Sequence, residues 1–365
     1  MGQVKLIKQR PVVSSGARVL GATEVKYYSP GDGVPRLGDL VYGRVTSIGK
    51  HTTIENTAGR IQGLGVGTRA IFVYGNRYAP DAYEGLVPEQ WLDRVDILAR
   101  SGMVGCVTER PIYVKRPTRV KILGRIVNAQ GVALNTLDLA ARLPVGAEKE
   151  KGSARARMVL SIGTAMNSGK TTTALTCVWA LSSLGYEVTG SKITGTANLK
   201  EILAFEDSGA VRSADFSSFG YPSTYRIGAE AAIDLFEKLD AQCGGNPDGY
   251  WVVEIADGIF QEETAALLSH PGLRDRIFRL VFSARDACGA LGGIQVLRDR
   301  FGLTPDLVSG RCTGSPLMLR ELRDNLDIPV MVSGTRELKR LRPYLAPRSK
   351  SASARREGRS KSGKN

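Results

Sequence analysis

The run Gly163-Thr164-Ala165-Met166-Asn167-Ser168-Gly169-Lys170-Thr171-Thr172 combines small, hydroxyl and cationic residues at a spacing suited to holding an anion. A glycine-bearing loop ending in Gly-Lys-Thr turns backbone N–H groups toward a phosphate at a helix N-terminus, where the helix's partial positive charge adds to the attraction. In that role Lys170 reaches the β- and γ-phosphates of a nucleotide and the Thr171 hydroxyl ligates Mg2+. Gly163, Thr164, Asn167, Ser168, Gly169 and Thr172 are the expected further contacts to the nucleotide.

Such a loop works only between a strand and a helix. The apolar Met158-Val159-Leu160 leads into it, and a helix-like run from Thr173 to Leu184, closed by Gly185, leads out. Strand and helix patterns then alternate to about residue 342, which predicts a mostly parallel sheet flanked by helices. Strands are expected at 158–162, 187–189, 250–254, 277–282, 307–308 and 330–332, and helices at 171–184, 226–239, 261–269, 288–301 and 315–325. The fold class is therefore α/β, preceded by a small β-rich barrel or sandwich. The expected division is a β-rich domain over 1–145, a charged linker over 146–156, a nucleotide-binding domain over 157–342 and a disordered basic tail over 343–365.

Thr164 stands where the usual Gly-x-x-x-x-Gly-Lys-Thr loop, the Walker A motif, has its first glycine, and Gly163 lies one residue earlier. Gly-Thr-x-x-x-x-Gly-Lys-Thr resembles the branch of P-loop NTPases that includes dethiobiotin synthetase, the cobyrinate amidating synthetases and MinD-like ATPases. The resemblance covers roughly residues 157–335 and implies ATP and Mg2+. Gly185 to Gly195 is similar to that group's second strand, which implies that Lys192 holds an anionic substrate or the γ-phosphate. Gly249 to Gly258 resembles its buried acidic strand, which implies Glu254, and next Asp257, as Mg2+-associated carboxylates. Capping of the following helix is the other role open to Glu254. Arg311, in Ser309-Gly310-Arg311-Cys312-Thr313, falls where relatives contact the base or phosphates. Asp215 opens a Pro- and aromatic-rich segment in the acceptor region and is read as a general base or as a turn cap. Ala165 departs from the pattern, because dethiobiotin synthetase keeps a metal-binding aspartate there; Asp257 is the candidate replacement.

Composition bounds the rest. With 42% hydrophobic and 24% charged residues the 365-residue chain reads as a globular protein long enough for two domains. No run of about 18 apolar residues calls for a membrane span, and the first ten residues lack the apolar core of a secretion signal. Five scattered cysteines without a Cys-x-x-Cys pair fit reduced thiols in a cytoplasm, and two histidines, His51 and His270, leave little room for a histidine triad. From Arg348 onward seven Lys/Arg face one acid, so that segment supplies +6 of the net +14.

Gly-Asp-Leu-Val-Tyr-Gly-Arg-Val, from Gly38 to Val45, is similar to the opening strand of S1/OB-type barrels. That resemblance implies nucleic acid as one partner, through the basic tail and through Tyr74, Arg77, Tyr78 and Tyr83 of the β-rich domain; packing of those aromatics into their own domain, or bracing of a homo-oligomer, is the other outcome. The expected function is a Mg2+-dependent, ATP-hydrolysing ligase-like or kinase-like enzyme acting on a small-molecule acceptor. A nucleotide-switched regulator and a polynucleotide 5′-hydroxyl kinase are the alternatives.

Overall fold

The computed structural model describes residues 4–20, 25–31, 33–142 and 154–346. Most of the expected linker and the basic tail beyond residue 346 lie outside the described residues.

In the β-rich part, five strands close on themselves. They are β1 (Leu40–Ser47), β2 (Arg69–Tyr74), β3 (Arg94–Ile97), β4 (Met103–Glu109) and β5 (Arg119–Val127). β5 pairs with β1, β1 with β2, β2 with β4, β4 with β3, and β3 returns to β5. Closure removes the exposed edges that an open sheet of this size would leave. The period of two along each strand feeds two apolar clusters. Val41, Val45, Ala70, Phe72, Val95, Val104 and Val120, from all five strands, fill the barrel. Leu40, Tyr42, Ile71 and Val73 pack outside it with Ala17 and Leu20.

The second part is a six-stranded, wholly parallel sheet of β6 (Arg157–Gly163), β7 (Val188–Thr194), β8 (Arg212–Asp215), β9 (Tyr250–Ile255), β10 (Ile277–Ser283) and β11 (Leu307–Ser309). Its order is β8-β7-β9-β6-β10-β11. Helices α1 (Lys170–Ser183), α2 (Leu199–Asp207), α3 (Ala229–Cys243), α4 (Glu262–Ser269), α5 (Ala287–Phe301), α6 (Pro316–Asn325) and α7 (Leu338–Leu345) cover it. α1, α2 and α7 bury Cys177, Phe205 and Leu341 on one face. α3 to α6 bury Phe236, Leu267, Ile294 and Leu322 on the other. Strands covered on both faces need continuous apolar runs, and Tyr250-Trp251-Val252-Val253 supplies one. This is a P-loop NTPase-like fold.

Three expectations shift. The segment at 330–332 is not a strand; it makes a single bridge, Val308 to Val330, because Pro329 lacks an N–H and Gly334, at φ 79°, turns the chain away. β8 and α2 lie in a stretch for which the sequence predicts no strand or helix. Helix α7 continues to Leu345, so residues 343–345 belong to the folded part.

The two parts meet through polar contacts. Glu55, fully buried, accepts from Leu199 N at 2.8 Å, Lys200 N at 2.9 Å and the Ser15 hydroxyl at 2.5 Å. It thereby caps α2 from the barrel side, where Asn198 makes no side-chain cap. Thr136 donates to Gly220 O at 2.6 Å, and the Tyr225 hydroxyl donates to Glu84 at 2.7 Å.

Candidate functional site

Strand β6 sits between β9 and β10, so the loop after it opens where the sheet's connections diverge to either side, the usual place for a ligand in an α/β sheet. Local sequence makes the loop tight. A Cβ on Gly163 would lie 2.4 Å from Ser168 Oγ and 2.5 Å from Ser283 O. Gly169 has φ 103° and backs onto Gly310, with no room for a side chain. Asn167 also lies at positive φ, 61°. The Ser168 hydroxyl is buried without a partner. An orphaned donor inside a closely wound glycine loop at a helix start fits an incoming phosphate oxygen.

Lys170 is buried, and its Nζ donates to Ala165 O at 2.8 Å, within its own loop. Burial pulls its pKa down to about 8, against the attraction of Glu254 and Asp257. Lys192 lies within β7, in register with Glu254 on β9 and Asp215 on β8. Its ammonium bridges Glu201 of α2 and, at 3.8 Å, Glu254. Burial opposes its charge, but those two carboxylates outweigh burial and drive its pKa upward. Lys192 is therefore a permanent cation.

Glu254 accepts from the Thr171 hydroxyl at 3.0 Å through Oε1, while Oε2 is buried with no partner. A buried carboxylate oxygen with nothing to accept from, beside a free hydroxyl lone pair, fits a hard cation. Among the described residues no group of three or more His, Cys, Asp or Glu is placed to hold a metal. The Thr171–Glu254 pair thus suits an ion whose remaining ligands are phosphate and water, as Mg2+ prefers. Asp257 sits in the turn beyond β9 at φ 64°, and that turn presses on the loop: a Cβ on Gly258 would meet Thr164 O at 2.3 Å. This sets Gly258, the residue after Asp257, against Thr164 and Ala165. Burial pushes the pKa of Asp257 up to about 6, with Lys170 and Lys192 pulling the other way.

One cavity of about 740 Å3 gathers Asn167, Gly169, Lys170, Thr171, Thr172, Lys192, Glu254, Asp257 and Arg311. Gly163, Thr164 and Ser168 support the loop from behind. Asp215 is not brought there. It is buried, accepts from Arg18 at 2.7 Å, and caps the next turn through Ser217 N at 3.0 Å. These contacts fall on Oδ1 and fix the side chain as a turn cap away from the cavity lining, so the general-base expectation for Asp215 gives way to the turn cap.

The barrel supplies the opposite wall, with His51, Arg77, Tyr78 and Arg100. These residues had no signal as site residues; Arg77 and Tyr78 stood only as candidates for nucleic-acid stacking. Tyr74 and Tyr83 are buried, Tyr83 donating to Lys115 O at 2.7 Å, so they form no exposed stacking platform. Asp81 of the barrel also touches the loop, accepting from Asn167 Nδ2 at 2.8 Å and from Arg285.

The sequence matches no family model and no curated protein. Solved structures with partial likeness include the signal recognition particle receptor FtsY from Elizabethkingia anophelis, with 13% identity over 57% of this chain and 70% of that one at a TM-score of 0.33. FtsY from Thermotoga maritima shows 14% identity over 58% of this chain and 75% of that one, TM-score 0.34. HypB from Helicobacter pylori, in complex with nickel, shows 13% identity over 57% of this chain and 91% of that one, TM-score 0.30. Among the described residues no helix is long and apolar enough to cross a membrane.

Proposed function

We propose that this chain is a Mg2+-dependent, ATP-binding and ATP-hydrolysing enzyme of the ligase-like or kinase-like kind, acting on a small acceptor, and that it belongs with the branch of dethiobiotin synthetase, the cobyrinate synthetases and MinD-like ATPases. The observation that carries this reading is the single cavity that runs from Lys170 and Thr171 past Lys192 and Glu254 to the barrel residues Arg77 and Arg100. Its volume of about 740 Å3 falls in the usual range for small-molecule sites. A phosphate loop alone needs no such second wall. A separate barrel wall facing the phosphate end is what a bound acceptor requires.

Thr171 and Glu254 would hold Mg2+, whose contribution is to neutralise triphosphate charge. Lys170 exchanges its Ala165 carbonyl for phosphate oxygen. Lys192, fixed between Glu201 and Glu254, presents positive charge that costs no reorganisation when the transferring group becomes more negative. Asp257, with a pKa about 6, takes a proton near neutral pH and replaces Asp215 as the base.

A metabolite screen for compounds that accelerate ATP hydrolysis by the full chain tests this reading, with GTP run in parallel. One small acceptor should stimulate turnover strongly. The second reading, a nucleotide switch, draws on the Asn167–Asp81 contact that ties the loop to the barrel. It predicts slow, unstimulated hydrolysis and a nucleotide-dependent change of partner or oligomeric state.

A further inference from the structure

Arg77 follows β2 at the barrel end of the cavity. Its backbone exchanges hydrogen bonds with Gly85, at 2.7 and 3.1 Å, so the barrel alone sets its position. The guanidinium has little to hold. One nitrogen meets His51 Nε2 at 3.4 Å, and Nε is buried with no hydrogen-bond partner. Among the described residues no Asp or Glu lies within ion-pair distance of it. His51 offers no charge in return: burial, then Arg77 and Lys50, push its pKa down to about 3, so the ring is neutral. Arg77 keeps its proton at neutral pH although burial lowers its pKa to about 10, with Tyr83 and the more distant Asp257 and Glu201 pulling the other way. Arg100, exposed, lines the same end.

The two buried lysines of the cavity are provided for. Lys192 has two carboxylates and Lys170 a carbonyl. A guanidinium removed from water without an acid is unfavourable for folding, and a ligand anion that docks on it recovers the lost pairing, in two-pronged geometry where the ligand is a carboxylate or phosphate. Accepting the reading of the cavity as an acceptor site, we propose that its barrel end is a subsite for an anionic group of the acceptor, a carboxylate or a phosphate, paired with Arg77 and flanked at the rim by Arg100. The acceptor is then a small organic acid or phosphate ester, and the barrel, not the nucleotide loop, sets its selection.

The test is calorimetric and needs no turnover. The full chain, saturated with Mg2+ and a non-hydrolysable ATP analogue so that the loop is occupied, is titrated with a panel of small carboxylic acids and sugar phosphates, each paired with its uncharged amide or alcohol. At least one anion should bind, with its neutral counterpart about 10-fold weaker or worse, and the arm that binds distinguishes carboxylate from phosphate. Arg77→Met should weaken that anion by about 10-fold or more while the analogue's affinity stays unchanged, and Arg77→Lys should fall between. Melting of the ligand-free Arg77→Met chain should occur at or above the parent's Tm, because a half-buried charge with no acid in ion-pair reach has been removed. The proposal is overturned if no anion binds the nucleotide-loaded parent, if Arg77→Met leaves anion binding intact, or if it weakens the analogue equally, which would assign Arg77 to the nucleotide. A lower Tm for both Arg77→Met and Arg77→Gln marks a structural role and overturns it too. Anion binding without stimulated hydrolysis removes the ligase or kinase reading and leaves the subsite standing.

Discussion

At the loop end of the cavity, positive charge is balanced before any ligand arrives; at the barrel end it is not. Lys170 rests on Ala165 O at 2.8 Å, and Lys192 sits between Glu201 and Glu254. Arg77 has only a neutral histidine within hydrogen-bond reach, and Asp257 and Glu201 act on it from beyond ion-pair distance. A balanced site can exist as a stable part of the folded chain and still bind, because a phosphate replaces a carbonyl at little reorganisation cost. An unbalanced one weakens the fold until its ligand is present, and so marks where recognition outweighed stability. The same contrast separates two aspartates. Asp215 is consumed by Arg18 and Ser217, whereas Asp257 keeps its carboxyl beside the phosphate loop with a perturbed proton affinity.

The strongest way to break this comparison is to remove the loop cation. Lys170→Ala should lower ATP affinity on the order of 100-fold in a direct binding titration, since it deletes charge-assisted bonds at the phosphates. Unchanged affinity would remove the nucleotide site, and with it the distinction between the ends. Glu254→Gln should cut Mg2+-dependent hydrolysis roughly 10- to 100-fold while binding measured in EDTA stays near the parent value; equal losses with and without Mg2+ would deny Glu254 a metal role.

The wall that joins the two ends is next. Glu55→Ala strands the first N–H groups of α2 and the Ser15 hydroxyl, and should cost about 1–3 kcal/mol in urea unfolding. No shift of the midpoint would mean that the barrel does not brace the helix that carries Glu201.

The smallest effect is on pH dependence. With its pKa at about 6 in the fold against an ordinary 3.8, Asp257 keeps a proton that the unfolded chain has lost. Its contribution to stability is complete below the unfolded value and disappears as pH rises through about 6. The parent should therefore lose stability between about pH 4 and pH 6 relative to Asp257→Asn, whose melting curve should be flatter across that window. Parallel curves would place Asp257 in a wetter setting than the structure gives it.

How far the sequence reaches can be seen residue by residue. The strand–loop–helix around Lys170 was legible because glycine positions, a helix start and an apolar run act over a few residues. Lys192 and Glu254 were singled out through resemblance, because Gly185 to Gly195 and Gly249 to Gly258 are similar to strands of the dethiobiotin synthetase branch. Asp215 lies in register with Lys192, yet its partner Arg18 stands 197 residues away, and no local pattern announces such a pairing. Helix α2 escaped notice for the same reason, its cap being Glu55 of the barrel.

What the sequence determined by itself was a phosphate-holding loop in a parallel α/β sheet, because short-range backbone geometry and the periods of two and 3.6 are written in consecutive residues. Only the tertiary structure decided that a closed barrel forms the other wall of the same cavity, that Asp215 is paired with Arg18, and that Arg77 has no acid within ion-pair distance among the described residues. Charge balance at a site depends on which distant groups are brought within a few ångströms, and that is a property of the packed chain alone.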